Sequence, residues 1–138
     1  QHEARAPMGL YRFQPDPGSE QYPLALISPA SDRTISSTLG ELTRPDAKLL
    51  MHPDDAQARG LADGDVGRVF NELGEVHTTL QVVPAIRPGT VSLPKGLWRR
   101  STRNGATGTA LVPDTLTDIG EGACFNDARV QVASLPSA

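Results

Sequence analysis

Hydroxyl side chains crowd one short stretch of this chain. Ser28, Ser31, Thr34, Ser37 and Thr38 recur around Pro29 and Ala30, and Asp32 and Arg33 are the only charges between Ala30 and Gly40. Hydroxyls and backbone amides in a loop are suited to phosphate oxygens and polar ring edges, and Arg33 can pair with a phosphate. The plain alternative is a solvated loop whose Ser and Thr side chains satisfy its own turns. A second group follows much later, at Lys95-Gly96-Leu97-Trp98, with the basic residues Arg99, Arg100 and Arg103 just beyond it. The lysine can sit near a phosphate and the glycine permits close backbone approach. Trp98 has two open readings, packing under the long loop 94–127 or stacking on a base. The three arginines can reach phosphates, or face other domains or solvent.

Other reactive-looking residues read as structure. His52-Pro-Asp-Asp-Ala56 has the form of a helix start, with Pro53 at the first helical position and Asp54 and Asp55 complementing the positive end. Neighbouring aspartates on a helix point in different directions, which makes a poor acid–base pair. Arg59 lies four residues after Asp55 and is expected to form a surface pair with it. His77 falls on the polar face of a strand and is expected in solvent, and His2 lies near the amino terminus. Cys124, between Ala123 and Phe125, reads as a small buried residue rather than a nucleophile.

The elements that hold these residues are mostly short strands. Tyr22–Ile27, Lys48–Met51, Val66–Phe70, Glu75–Val83, Thr90–Leu93 and Arg129–Val132 are expected strands. Asn71-Glu-Leu-Gly74 forms a hairpin loop, and one helix runs from Pro53 towards Gly60. Val76, Thr78, Leu80 and Val82 alternate with His77, Thr79 and Gln81, as on a half-buried strand. Many short strands with one helix favour a small β-barrel. The long Gly- and Thr-rich stretch Pro94–Asp127 lacks a hydrophobic period, and loops of that length in a compact domain usually have a function or are disordered. It ends in Cys124-Phe125 and a closing strand, which favours a function. Residues 1–21 read as an arm or linker and 22–138 as the domain.

Composition narrows the classes further. With 138 residues, 38% hydrophobic and 21% charged, the chain can enclose one core and is too balanced for disorder. A net charge of −3 argues against nucleic acid or an anionic membrane as partner, so any polyanionic ligand must be held by local groups. The single cysteine excludes an internal disulfide and a cysteine-rich metal site. No apolar run approaches a membrane span, so no membrane insertion is expected. The chain opens at Gln1 on a polar stretch, which reads as a fragment of a longer protein, with a processed amino terminus as the alternative.

Four segments in order carry a family resemblance. They are Leu24-Ala-Leu-Ile-Ser-Pro-Ala-Ser31 leading to Ser36-Ser-Thr38, and Met51–Asp65 running into Val69-Phe-Asn71. Then come Pro88-Gly-Thr-Val-Ser-Leu-Pro-Lys-Gly-Leu-Trp98 and Leu111–Asn126 before the last strand. Together they resemble the molydopterin dinucleotide-binding domain that ends molybdenum and tungsten oxidoreductases of the dimethyl sulfoxide reductase family. The resemblance covers roughly 110 residues, and although each segment alone is weak, four in register are specific.

The resemblance implies a six-stranded double-psi β-barrel, as in aspartate decarboxylase, with one or two short helices. It implies binding of bis(molybdopterin guanine dinucleotide) carrying molybdenum or tungsten, the metal being ligated outside this domain. The other domains of a parent oxidoreductase are then the expected partners, and the domain alone is expected to have no catalytic residue. The implied cofactor contacts are Ser28, Pro29, Ala30, Ser31, Arg33, Thr34, Ser37 and Thr38 in the first loop. Lys95, Gly96 and Trp98 follow, then Thr109, Phe125 and Asn126. The chain departs from the family pattern at Asp32-Arg33, where many members have two histidines, and at Thr109, where relatives have Asn. Asp114, Thr117 and Asp118 are expected to cap turns. A cytoplasmic location is expected, with the periplasm as the alternative. Two other functions are weighed on the same barrel. A stand-alone interaction module leaves the Ser/Thr-rich loop unexplained, and a self-processing pyruvoyl decarboxylase would need Gly18-Ser19 to be strained, although it sits in the irregular arm.

Overall fold

A computed structural model describes residues 19–31, 35–42, 46–117, 120–124 and 127–135. Six strands, β1 (Leu24–Ile27), β2 (Lys48–Met51), β3 (Val66–Phe70), β4 (Glu75–Val82), β5 (Thr90–Ser92) and β6 (Ala128–Ser134), close into a barrel in the order β1-β5-β2-β4-β3-β6. This is the mainly-β, six-stranded barrel that the sequence implies. One helix, α1 (Pro53–Gln57), and two single 3₁₀ turns, Arg99–Ser101 and Gly108–Leu111, are the helical elements among the described residues.

Alternation along the strands fills the interior. Val76, Thr78 and Leu80 of β4 are buried while His77 and Thr79 between them are partly exposed, following the two-residue period of a strand. Leu24, Leu49, Met51, Val69, Val91, Val130 and Val132 complete the core from the other strands. Thr78 is the polar exception. Its hydroxyl donates to the Ala47 carbonyl, so burial leaves no unmet donor.

The mixture of parallel and antiparallel pairs decides what each end of the barrel carries. β1 runs parallel to β5, with Ile27 opposite Ser92, so the chain leaves both strands at the same end. β2 runs antiparallel to β5, so its carboxyl end, and α1 after it, lie at the opposite end. There Asp55 accepts from the Gly89 amide at 2.7 Å, just before β5 begins. β6 is antiparallel to β1, with Ala128 opposite Leu26, which brings its start back to the first end.

The helix begins as its sequence dictates. The His52 ring accepts from the Asp54 amide at 3.2 Å, and Pro53 occupies the first turn. Asp54 is exposed while Asp55 points inward, so the adjacent carboxylates are separated as expected. Three expectations need correction. Asp55 and Arg59 do pair, at 3.8 Å, but both side chains are only 16% exposed rather than on the surface. The cause is a shared network: Arg59 also donates to the Gln131 side chain at 2.7 Å and to the Asp55 carbonyl at 2.9 Å. His77 is not free in solvent, because Glu75 draws its ring down to a 2.8 Å contact. Cys124 is half-buried rather than buried, lying in a rim segment and not in the barrel interior.

Candidate functional site

The parallel β1–β5 pair builds the site. Beyond the last paired residues the two chains continue side by side, the Leu93 amide donating to Ile27 O at 3.0 Å and the Lys95 amide to Pro29 O at 3.0 Å. The loop after β1 and the loop after β5 therefore stay in contact as they leave the barrel. Gly96 tightens that contact. It has a φ of +72°, and a Cβ built there would run into the Ser36 carbonyl, so only glycine allows both conformation and approach. The close approach expected at Gly96 is thus used between the two loops themselves.

Trp98 and Arg100 seal the same junction. The indole N–H donates to Ser37 O at 2.7 Å, and the ring lies where a Cβ on Gly40 would be. Arg100 lies over the indole at 5.2 Å and donates to the carbonyls of Gly40 and Leu42. Trp98 packs against the first loop rather than under the long loop 94–127. Arg100 is committed to structure. Arg103 lies 4.0 Å from Asp46, with both side chains well exposed.

A cavity of about 660 Å³ opens beside this junction. Ser28 and Ser37 line it from the first loop, and Pro94, Lys95, Gly96 and Leu97 from the second. The third wall is Thr107, Gly108 and Thr109, with Val112 behind them. Thr107 and Thr109 share a hydrogen bond between their hydroxyls at 3.0 Å. In such a pair one hydroxyl supplies the hydrogen and the other keeps its own for a ligand. Among the described residues no acidic side chain belongs to this lining, and Lys95 gives it a positive charge. A second depression of about 540 Å³, bounded by Leu97, Trp98, Arg99, Arg100 and Thr107, continues along the rim. Among the described residues no group of three or more His, Cys, Asp or Glu side chains could hold a metal ion, and no helix is long and apolar enough to cross a membrane.

The structure brings Ser28, Ser37, Lys95, Gly96 and Thr109 into one cavity and sets Trp98 on its neighbour. Pro29 serves through its carbonyl, and Pro29 and Ala30 are exposed. Ser31 is half-buried, and Thr38 closes a turn through its amide to Ile35 O at 2.9 Å. None of these four lines the cavity. Arg33 and Thr34, with Phe125 and Asn126, lie outside the described residues, as do Asp118 and His2. Asp127 and Ala128, directly after Asn126, are at the cavity end of the barrel. Thr117 caps a turn as expected, its hydroxyl accepting from the Gly122 amide at 2.9 Å.

Sequence reasoning missed Pro94, Leu97, Thr107, Gly108 and Val112 as lining. The Gly-Thr repetition of Thr107-Gly-Thr109 is the signal that could have found two of them. The cavity fits a phosphorylated, ring-bearing ligand in volume, in its hydroxyl and ammonium donors, and in its apolar patches.

Comparison with known proteins identifies the family. The molydopterin dinucleotide binding domain family matches residues 24–129. Dimethyl sulfoxide reductase DmsA of Escherichia coli (strain K12) is 39% identical over 94 residues, covering 65% of this chain and 11% of that protein. Trimethylamine-N-oxide reductase 1 of the same organism is 34% identical over 123 residues, 80% of this chain and 14% of the relative. Among solved structures, acetylene hydratase from Pelobacter acetylenicus superposes with a TM-score of 0.69 at 23% identity over 83% of this chain and 18% of its own, a likeness of fold. The chain thus spans only a small part of the relatives it matches. Since the family match starts at the first residue of β1 and reaches the second residue of β6, it takes in five strands and the loops between them, and the chain belongs to the molydopterin dinucleotide binding domain family of dimethyl sulfoxide reductase-type oxidoreductases.

Proposed function

We propose that this chain is the carboxy-terminal domain of a larger molybdenum or tungsten oxidoreductase, and that it grips the guanosine end of bis(molybdopterin guanine dinucleotide). One observation carries this reading. The parallel β1–β5 pair delivers two loops and their hydroxyls to a single cavity whose lining, among the described residues, has one lysine and no acid. When bound, the cofactor supplies the metal centre at which substrate is reduced or oxidised, and its metal is ligated by other domains. This chain's residues bind and orient. Ser28, Ser37 and Thr109 offer hydroxyls, Lys95 offers charge to phosphate, and Leu97 with Val112 gives the rings an apolar wall. Arg33, Thr34, Phe125 and Asn126 are proposed contacts from the flanking segments.

Ile35, Leu39 and Leu42 expose apolar side chains on the first loop, a strip in this reading. In this reading the strip meets the parent enzyme's other domains. The same strip is the one observation that favours a stand-alone interaction module, which gives the cavity no ligand. The proposed compartment is the cytoplasm, with the periplasm as alternative, and a leader upstream in the gene decides between them.

Titration of the chain with guanosine diphosphate, followed by amide NMR, tests the ligand. Shifts are expected at Ser28, Ser37, Lys95–Leu97 and Thr107–Thr109, together with a Lys95→Gln variant that binds more weakly and less salt-dependently. Shifts confined to Pro53–Arg59, or equal for adenosine diphosphate at every residue, would overturn the guanosine assignment.

A further inference from the structure

The third cavity wall belongs to the stretch with the least sequence pattern, and its attachment is unusual. Between Leu97 and Leu111 the chain leaves the barrel surface, turns, and returns without a strand. Two asparagine side chains tie it down.

The first is Asn104. β2 starts to pair with β4 only at Lys48, opposite Thr79. The edge of β4 before that point, from Glu75 to Thr78, therefore meets no strand on its β2 side among the described residues. Segment 103–104 fills the gap. The Arg103 amide donates to His77 O at 3.0 Å. The Asn104 side chain accepts from the His77 amide at 3.1 Å and donates to Glu75 O at 3.0 Å. A carboxamide that accepts from one strand residue and donates to the carbonyl two residues earlier stands in for a strand's own peptide group. Its oxygen also accepts from the Ala106 amide at 3.3 Å, turning the chain towards Thr107.

The second is Asn71, at the end of β3. Its amide donates to Leu111 O at 2.8 Å and to Arg129 O at 3.1 Å, while its oxygen accepts from Leu73 N at 3.0 Å. It fixes the last residue of the 3₁₀ turn Gly108–Leu111 to the start of β6. Gly74, across the same hairpin, leaves room for the turn, since a Cβ there would lie 2.9 Å from Ala110 O. The β3–β4 hairpin thus holds both ends of the segment that carries Thr107, Gly108 and Thr109.

We propose that Asn104 and Asn71 are positioning residues of the dinucleotide cavity. They touch no ligand, and they set where the Thr107–Thr109 wall stands relative to Ser28, Ser37 and Lys95. The consequence for binding rests on the cavity reading given above, whereas the positioning itself is a property of the chain alone. Neither asparagine lines the cavity, so their effect is transmitted through backbone.

The whole chain is compared with Asn104→Asp, Asn104→Ala and Asn71→Ala by amide NMR and hydrogen exchange, first without ligand and then with guanosine diphosphate. Asn104→Asp keeps the acceptor for His77 but loses the donor to Glu75 O, so it separates a lost hydrogen bond from lost bulk. Without ligand, amides of Thr107, Gly108 and Thr109 should shift and lose protection in every variant, while those of Leu24–Ile27 and Thr90–Ser92 keep theirs. Guanosine diphosphate should then bind about five- to tenfold more weakly, the loss expected for one or two hydrogen bonds acting through geometry. Unmoved 107–109 amides in the ligand-free variants would overturn the positioning role. Moved amides with unchanged affinity would overturn its link to binding. Shifts spread over all six strands would show a general structural role instead and would overturn it as well. An unaltered chain that ignores the nucleotide would defeat the cavity assignment alone, because the ligand-free spectra still decide the positioning.

Discussion

At the scale of single residues the site depends on backbone geometry as much as on donors. Gly96 is the sharpest case. Its φ of +72° excludes easy replacement, and a Cβ would strike the Ser36 carbonyl, which is backbone and cannot swing away. Gly96→Ala is expected to cost about 2 kcal/mol or more in denaturant unfolding and to part the two loops. A loss below half of that would mean that the loops are not held as described. Glu75 makes a different prediction. The hydrogen bond from His77, assisted by His77 and Arg68 charge against a smaller opposing desolvation, holds its carboxyl below the ordinary value of 4.5. A carboxylate lowered in the folded state stabilises fully above its unfolded pKa, and that contribution is lost as pH falls through the folded value. Glu75 is 42% exposed, so the effect is discounted for solvent screening and is expected to be small. Urea midpoints of Glu75→Gln should sit below those of the natural chain at neutral pH and converge with them below pH 4.5. Parallel curves throughout would deny the shift.

At the scale of elements, the first loop is seated by the second. Gly40 is buried beneath the Trp98 ring, and a Cβ there would lie inside the indole, so Gly40→Ala must expel the ring. Emission of this single tryptophan should shift to the red, and amides 35–42 should exchange faster, while β-strand amides stay protected. An unchanged emission maximum would count against the seat. The sequence showed the strands because a barrel repeats an in–out alternation that Val76, Thr78 and Leu80 display plainly. It showed α1 because Pro53, Asp54 and Asp55 obey the local rules of helix starts. Local rules also explain its misses. Arg59 looked exposed at helical spacing, yet its partner Gln131 comes from a strand 72 residues later. Thr107, Gly108 and Val112 carry no period, since their place is set by amide side chains of Asn71 and Asn104 reaching across the fold. Trp98 left two roles open for the same reason. Which surface it meets depends on Gly40, 58 positions earlier and outside any repeating pattern.

At the scale of the molecule, mixed strand directions divide the labour between the ends of the barrel. The cavity end collects the loops after β1 and β5, the β3–β4 hairpin and the start of β6, all loop-rich and polar. The far end carries α1, where Asp55, Gly89, Arg59 and Gln131 join in one hydrogen-bonded network. A closed barrel with a tightly packed core transmits little between its ends, because Leu49, Val69, Val76, Val91 and Val130 leave no slack interior. Stability and ligand binding should therefore be separable by mutation. Asp55→Ala strands the Gly89 amide and unpairs the mostly buried Arg59, which is expected to lower unfolding free energy by about 2–4 kcal/mol. Guanosine diphosphate affinity, measured below the unfolding transition, should stay within about twofold, since a remote site with no shared partner contributes independently. Equal losses in stability and affinity would mean that the helix end and the cavity end move together, and that the rim is shaped by the whole barrel rather than by its own loops.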